Sequence, residues 1–133
     1  MQKEKKCLII DDDEDDQEIF LMCIGDVDAN LECIAYSDPV VAVQKLSADL
    51  QYTPEYIFVD MNMPKLNGIQ CLGKLRGMEH LNKSRIYMYS TTSLNTTIEE
   101  SQQLGANGFI IKPSKLAELR ERLTALFSEE IEK

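Results

Sequence analysis

The sequence predicts one α/β domain in which five short parallel strands alternate with five helices. Its length of 133 residues suits a single domain. Short runs rich in Ile, Val and aromatic residues recur five times, and apolar residues at helical spacing lie between them. Alternation of this kind implies right-handed crossovers and a parallel sheet covered by helices on both faces. We therefore expect the whole chain, residues 1–133, to form one domain.

The five predicted strands are 7–10, 31–36, 56–59, 86–89 and 109–111. Most are apolar at both odd and even positions, which is typical of strands that are buried on both faces. The segment Leu31-Glu32-Cys33 is more mixed in polarity and indicates a strand at an edge of the sheet.

The helices are predicted from capping residues and apolar spacing. Asp38 followed by Pro39 predicts the start of the second helix, since Asp caps helix N-termini and Pro favours the first helical position. Four of the helices have apolar residues at helical spacing. These are Ile19, Phe20 and Cys23 in the first helix, Val43, Leu46 and Leu50 in the second, Ile69, Leu72 and Leu75 in the third, and Leu116, Leu119, Leu123 and Leu126 in the fifth.

The fourth helix, predicted between Ser93 and Leu104, is weaker than the others. Its only apolar residues are Leu94, Ile98 and Leu104. Two interpretations stay open. The segment is a solvated surface helix with a narrow contact stripe, or it is held loosely enough to shift, because little apolar area fixes it.

Composition excludes several kinds of function. The chain has 14 basic and 23 acidic residues, a net charge of −9, which disfavours direct binding to nucleic acid or to an anionic membrane. A single His and four scattered Cys residues disfavour a zinc site or a disulfide framework. No stretch has the length of a signal peptide or a membrane span. We expect a soluble protein of the cytoplasm.

Polar residues follow four of the predicted strands. Asp11 and Asp12 come after the first strand, Asp60 after the third, Ser90 after the fourth and Lys112 after the fifth. The carboxyl ends of parallel strands meet at one edge of a sheet, so these side chains should converge. Crowded carboxylates need a cation, and hard oxygen ligands favour Mg²⁺, for which Mn²⁺ can substitute.

Simpler explanations exist for parts of this pattern. Helix capping and the helix dipole alone explain the acidic residues from Asp13 to Asp16. A calcium loop is excluded, because Asp16 stands where glycine is needed and Met22 where the bidentate Glu belongs. Taken singly, Ser90 is an ordinary strand-end hydroxyl and Lys112 an ordinary surface amine.

The ordered set of motifs resembles the response-regulator receiver domains, over a core of about residues 5–127. The resemblance rests on Ile9-Ile10-Asp11-Asp12, Asp60-x-Asn62-Met63-Pro64-x-x-x-Gly68, Ser90, Gly105-Ala106-x-Gly108-Phe109 and Lys112-Pro113. Each motif is weak alone, but their order and spacing together are specific. The resemblance implies a flavodoxin-like (βα)5 fold, doubly wound, with strand order 2-1-3-4-5.

The resemblance also implies roles for individual residues. Asp60 would accept a phosphoryl group from a phosphohistidine. Asp11, Asp12, Asp60 and the backbone carbonyl of Asn62 would hold Mg²⁺, and no organic cofactor is expected. Catalysis would come from positioning and charge neutralisation.

Lys112 and Ser90 would contact the phosphoryl oxygens. The resemblance implies a cis Lys112–Pro113 bond that brings the ammonium to the site. Phe109 occupies the aromatic switch position and would become buried when Ser90 moves inward; a plain core aromatic is the alternative. Asn62 and Thr92 stand where phosphoryl lifetimes are tuned in the family.

The predicted function is therefore that of a receiver in a two-component or phosphorelay system. Its partners would be a sensor histidine kinase or a histidine phosphotransfer protein, and an output protein docking on the fourth helix, fifth strand and fifth helix. The chain ends just after the last helix, so we expect a stand-alone receiver rather than a piece of a longer protein.

Two other function classes compete with a receiver. A phosphorylation-independent binding module is disfavoured by the intact acidic, hydroxyl and lysine set. An aspartyl-phosphate phosphatase needs an acid where Asn62 stands. We expect no enzyme activity beyond the chain's own phosphorylation and dephosphorylation.

Overall fold

A computed structural model describes residues 5–91 and 95–132 of the chain. The strands are β1 (Lys5–Ile10), β2 (Leu31–Tyr36), β3 (Tyr56–Asp60), β4 (Arg85–Ser90) and β5 (Gly108–Ile111). The helices are α1 (Glu14–Val27), α2 (Pro39–Ala48), α3 (Gly68–Arg76), α4 (Asn95–Gln103) and α5 (Leu116–Glu132), and a 3₁₀ turn covers Glu79–Leu81. The five strands and five helices alternate along the chain, as predicted.

The five strands form one parallel sheet in the order β2-β1-β3-β4-β5. The predicted flavodoxin-like arrangement and the edge position of β2 are confirmed. Within each central strand, successive side chains enter two separate cores: Ile57 and Val59 pack on one face, and Tyr56 and Phe58 on the other. Burial on both faces explains the continuous apolar runs in the sequence.

The helices cover both faces of the sheet. One core contains buried side chains of α2 and α3, and the other contains those of α1 and α5, which pack together. Asp38 caps α2 as predicted, its side chain accepting a hydrogen bond from the N–H of Val40. Asn67 and Gln70 form a reciprocal capping box at the start of α3.

The fourth helix is indeed sparsely packed. Of the described residues of α4, Ser101 alone is fully buried, and Ile98 is half-buried. The predicted helix start at Ser93 and Leu94, together with Thr92, lies outside the described residues. None of the described helices combines the length and apolar character needed to cross a membrane.

Candidate functional site

The site lies at the carboxyl end of the sheet, where β1 and β3 end beside each other. The register pairs Ile10 with Val59, so Asp11, which follows β1, lies next to Asp60, the last residue of β3. Asp11 is fully buried, Asp60 is nearly so, and Asp12 is exposed. One carboxylate oxygen from each lies within 4.8 Å of the others. The structure therefore brings together the three acids that the sequence predicted to converge.

Lys112, which follows β5, lies among these carboxylates. Its Nζ is 3.0 Å from Asp11 Oδ2, 2.8 Å from Asp16 Oδ2 and 3.5 Å from Asp60 Oδ1. The ammonium also lies 5.0 Å from the centre of the Tyr89 ring, at cation–π distance. Only 9% of the lysine side chain is exposed, so these charge interactions are weakly screened.

Two charged groups of the site have displaced pKa values. Burial and the neighbouring Asp11 carboxylate raise the pKa of Asp60 to about 7, against a smaller opposing effect of Lys112. Burial lowers the pKa of Lys112, but hydrogen bonds to Asp16 and Asp11 outweigh this effect and raise its pKa above the usual range. The ammonium is therefore permanently charged, whereas the Asp60 carboxylate is costly to ionise without a further cation.

Short loops hold the acids in place. The N–H of Asp13 donates to Asp11 Oδ1 at 3.0 Å, and the N–H of Asn62 donates to Asp60 Oδ1 at 3.3 Å. Asp13 itself caps α1, accepting from the N–H groups of Asp15 and Asp16. The capping interpretation of the acidic run therefore holds for Asp13.

Gly68 lets the start of α3 approach the loop after β3. A Cβ at this position would lie 2.6 Å from the carbonyl oxygen of Asp60 and 2.7 Å from the Cα of Met61. The N–H of Gly68 donates to the carbonyl of Met61 at 3.0 Å. The glycine of the sequence motif is thus required by a backbone-to-backbone contact.

Ser90 and Phe109 lie on the neighbouring strands β4 and β5. Ser90 is fully buried at the end of β4, and its carbonyl accepts a hydrogen bond from the N–H of Lys112. Phe109 is half-buried and packs against the core on the α2–α3 face. The backbone carbonyl of Asn62 belongs to the loop beside Asp60, and its role as a metal ligand stays a prediction.

The expected cis Lys112–Pro113 bond is wrong for this structure. No peptide bond within the described residues is cis. The trans form is the lower-energy isomer, and it leaves the N–H of Lys112 bonded to Ser90 while the ammonium still reaches Asp11 and Asp16. The lysine is thus positioned by its side-chain partners without the cis bond.

The sequence patterns did not reveal two residues that contribute to the site. Gln17, buried on α1, donates to the carbonyl of Asp11 and to the hydroxyl of Ser37. Helix capping does not explain the position of Asp16, because its carboxylate is a direct partner of Lys112. The position of Gln17 on the buried side of α1, with Phe20 and Cys23, was the available signal.

The family model for the response regulator receiver domain matches residues 7–124, most of the chain. The protein belongs to this family. The curated relative chemotaxis protein CheY-3 of Vibrio cholerae serotype O1 is 34% identical to this receiver over 73 residues. That match covers 55% of this chain and 56% of the relative, so it spans only about half of the relative's length.

Solved structures share the receiver fold. A response regulator receiver domain from Rhodospirillum rubrum has a TM-score of 0.83 and 26% identity, covering 92% of this chain and 93% of that one. In the CheX–CheY–BeF3–Mg complex of Borrelia burgdorferi, the matched chain has a TM-score of 0.78 and 23% identity, covering 92% and 89% of the two chains. Receiver domains of the CheY type are generally signalling modules rather than enzymes.

Proposed function

We propose that this receiver is phosphorylated on Asp60 by a phosphohistidine of a sensor kinase or a phosphotransfer protein. The convergence of Asp11, Asp12 and Lys112 on the buried Asp60 carboxylate carries this proposal. A carboxylate oxygen of Asp60 attacks phosphorus, the N–P bond to the donor imidazole breaks, and the imidazole leaves with a proton from solvent. The product is an acyl phosphate on the chain.

The acidic cluster fits Mg²⁺ by the chemistry of its donors. Three carboxylate oxygens within 4.8 Å of one another, with no nitrogen or sulfur ligand among them, are the hard donor set that Mg²⁺ prefers. The raised pKa of Asp60, caused by burial and by the neighbouring Asp11, supports a further positive charge at this cluster. Asp11, Asp12, Asp60 and the carbonyl of Asn62 would hold the ion. When bound, it neutralises charge on the acids and on the phosphoryl oxygens.

The chain's own residues perform the remaining tasks. Asp60 is the nucleophile, and the loop N–H of Asn62 orients one of its oxygens. Lys112, whose ammonium lies 3.5 Å from Asp60 Oδ1, donates to a phosphoryl oxygen, and the Ser90 hydroxyl donates to another. Because Lys112 and Asp60 are largely buried, these interactions are stronger than they would be in water.

Phosphorylation would be read out at the face formed by α4, β5 and α5. Movement of Ser90 toward the phosphoryl group would open space behind β4, and the half-buried Phe109 would turn inward to fill it. The sparse packing of α4 favours a shift of this helix at low cost. The partner is an output protein that binds one of the two arrangements.

Neighbouring structures support this partner class. The similar solved structures include the phosphorylated cyanobacterial phytochrome response regulator RcpA and a complex of CheX, CheY, BeF3 and Mg²⁺. We further propose that the core is residues 5–127 and that the protein works in the cytoplasm. Four thiols without disulfides and a net charge of −9 support a reducing compartment and a protein rather than nucleic-acid partner.

Intact mass after incubation with acetyl phosphate tests the proposal. We expect one added phosphoryl group with millimolar Mg²⁺, and none with EDTA or in Asp60→Asn. Beryllofluoride titration accompanies it, because a short-lived acyl phosphate escapes mass detection. Failure of the wild-type protein in both assays would contradict the receiver mechanism and favour a phosphorylation-independent binding module.

A further inference from the structure

Asp16 contacts the lysine of the site although the receiver mechanism gives it no task. Its Oδ2 lies 2.8 Å from Nζ of Lys112, closer than either Asp11 or Asp60. The cap of α1 explains why this acid, among several, faces inward. The N–H groups of Asp15 and Asp16 are both fixed by the side chain of Asp13, and the helical turn then directs the Asp16 side chain toward the strand ends.

Helix capping does not account for this contact. Any acid in the first turn of α1 complements the helix dipole, and the exposed Glu14 and Asp15 already do so. Asp16 is different because 33% of its side chain is exposed and its partner ammonium is 9% exposed. A pair with such a sheltered partner is screened less by solvent than a surface pair.

The ammonium has three protons, and three carboxylates surround it. Its hydrogen bonds run to Asp11 and Asp16, whereas Asp60 lies 3.5 Å away, so moving toward a phosphoryl oxygen on Asp60 lengthens one of these two bonds. Asp11 is fully buried, so leaving its carboxylate unpaired is costly. Asp16 is partly exposed, and water can solvate its carboxylate after release. Asp16 is therefore the partner whose release costs least.

We propose that Asp16 competes with the incoming phosphoryl group for Lys112 and thereby limits how readily Asp60 is phosphorylated. This inference rests on the proposed function of the site. Asp16 acts through Lys112 and is a positioning residue rather than a catalytic one. It holds the ammonium in the unphosphorylated chain and releases it when phosphoryl oxygens arrive.

Removing the Asp16 carboxylate should therefore help phosphorylation. In Asp16→Asn we expect beryllofluoride to bind about 3- to 10-fold more tightly, and acetyl phosphate to phosphorylate Asp60 faster by a similar factor, the range typical of one partly exposed ion pair. A gain of this kind separates competition from a merely structural role, because structural damage at the site would weaken binding.

Asp15→Asn is the matched control. It removes the same charge one residue earlier, from an exposed side chain in the same turn. Asp16→Ser provides a second truncation, and urea unfolding verifies that every variant is folded. Both assays use millimolar Mg²⁺ and the full chain, and the dissociation constant of beryllofluoride is measured independently of the phosphorylation rate.

The outcomes separate the two proposals. Tighter beryllofluoride binding in both Asp16 variants, with Asp15→Asn close to wild type, supports competition. Equal binding in Asp16→Asn and Asp15→Asn, or weaker binding in Asp16→Asn, overturns it while leaving the receiver mechanism in place. If the wild-type chain neither binds beryllofluoride nor accepts a phosphoryl group, the proposed function fails, and this inference fails with it.

Discussion

At Asp60 the fold places a carboxylate where its charge is costly. Burial and the adjacent Asp11 raise its pKa to about 7, and Lys112 compensates only in part. A buried acid whose charge is only partly compensated is a common mark of a functional site, because stability alone would favour a neutral side chain. In the proposed function, the negative charge of Asp60 helps to hold the cation and makes the carboxylate the nucleophile toward phosphorus.

The raised pKa predicts how stability depends on pH in metal-free protein. The unfolded Asp60 loses its proton near pH 3.8, whereas the folded one keeps it to about pH 7. The folded state thus binds more protons in this window, and the contribution of Asp60 to the free energy of unfolding falls as the pH rises through it. Urea unfolding in EDTA should show this fall in wild type and lack it in Asp60→Asn.

Millimolar Mg²⁺ should oppose this fall. A bound cation stabilises the ionised carboxylates, so the increase in unfolding free energy should be largest at neutral pH, roughly 2–3 kcal/mol at one hundred times the dissociation constant. Asp12→Asn should lose most of the increase, and Asp15→Asn should keep it. Unfolding that is insensitive to Mg²⁺ at neutral pH would contradict a metal site among Asp11, Asp12 and Asp60.

At the scale of elements, α3 is fixed closely against the loop that carries Asp60. Gly68→Ala would push a methyl group into the backbone of Asp60 and Met61, and we expect it to destabilise the fold by about 1–3 kcal/mol. Gly73→Ala is the control, since nothing lies within 4 Å of a Cβ there. That control should be neutral or stabilising, because Ala favours a helix interior. Equal urea midpoints for the two variants would refute the close approach.

A guanidinium of α3 anchors the turn between α4 and β5. Arg76 of α3 donates through Nε to the carbonyl of Gly105 at 2.8 Å, and through Nη2 to Asn107 Oδ1 at 2.8 Å. The same guanidinium donates to the carbonyls of Leu81 and Ser84. The bonded residues Gly105 and Asn107 precede β5, at the end of the sheet opposite the acids.

This arrangement predicts uneven hydrogen exchange. Amides of α4 should exchange faster than those of α3, because α4 buries little apolar surface whereas α3 buries Cys71, Leu72 and Leu75. Exchange followed by mass spectrometry measures this, and beryllofluoride with Mg²⁺ should slow exchange in α4. Protection of α4 equal to that of α3 would contradict its role as the moving element.

For the whole molecule, local signals in the sequence predicted the α/β alternation and the convergent residues, whereas the strand order was implied by the resemblance to receiver domains. Apolar runs mark the buried strands, and parallel strands place Asp11, Asp60 and Lys112 at one edge. The Asp16–Lys112 pair joins residues 96 positions apart. This contact depends on the direction of the Asp16 side chain in the first turn of α1, and the apolar pattern of the sequence does not encode that direction.

The trans Lys112–Pro113 bond is a second feature that the sequence alone could not predict. A Lys-Pro sequence permits either isomer at small cost, and the surrounding contacts select one. The buried Gln17 is a third case, because a polar residue on the inner side of a helix acquires its role only from the carbonyl of Asp11 and the hydroxyl of Ser37 that it meets there. Long-range polar contacts therefore had to come from the structure.

Locating the phosphoryl group most directly tests the central claim that Asp60 is the phosphoacceptor. Borohydride reduces an acyl phosphate to the alcohol and expels phosphate, so reduction after acetyl phosphate treatment marks the modified residue. Peptide mass mapping should find the reduced residue at position 60 alone, and only in samples that contained Mg²⁺. A mark at Asp11, Asp12 or any other acid in place of Asp60 would contradict the account.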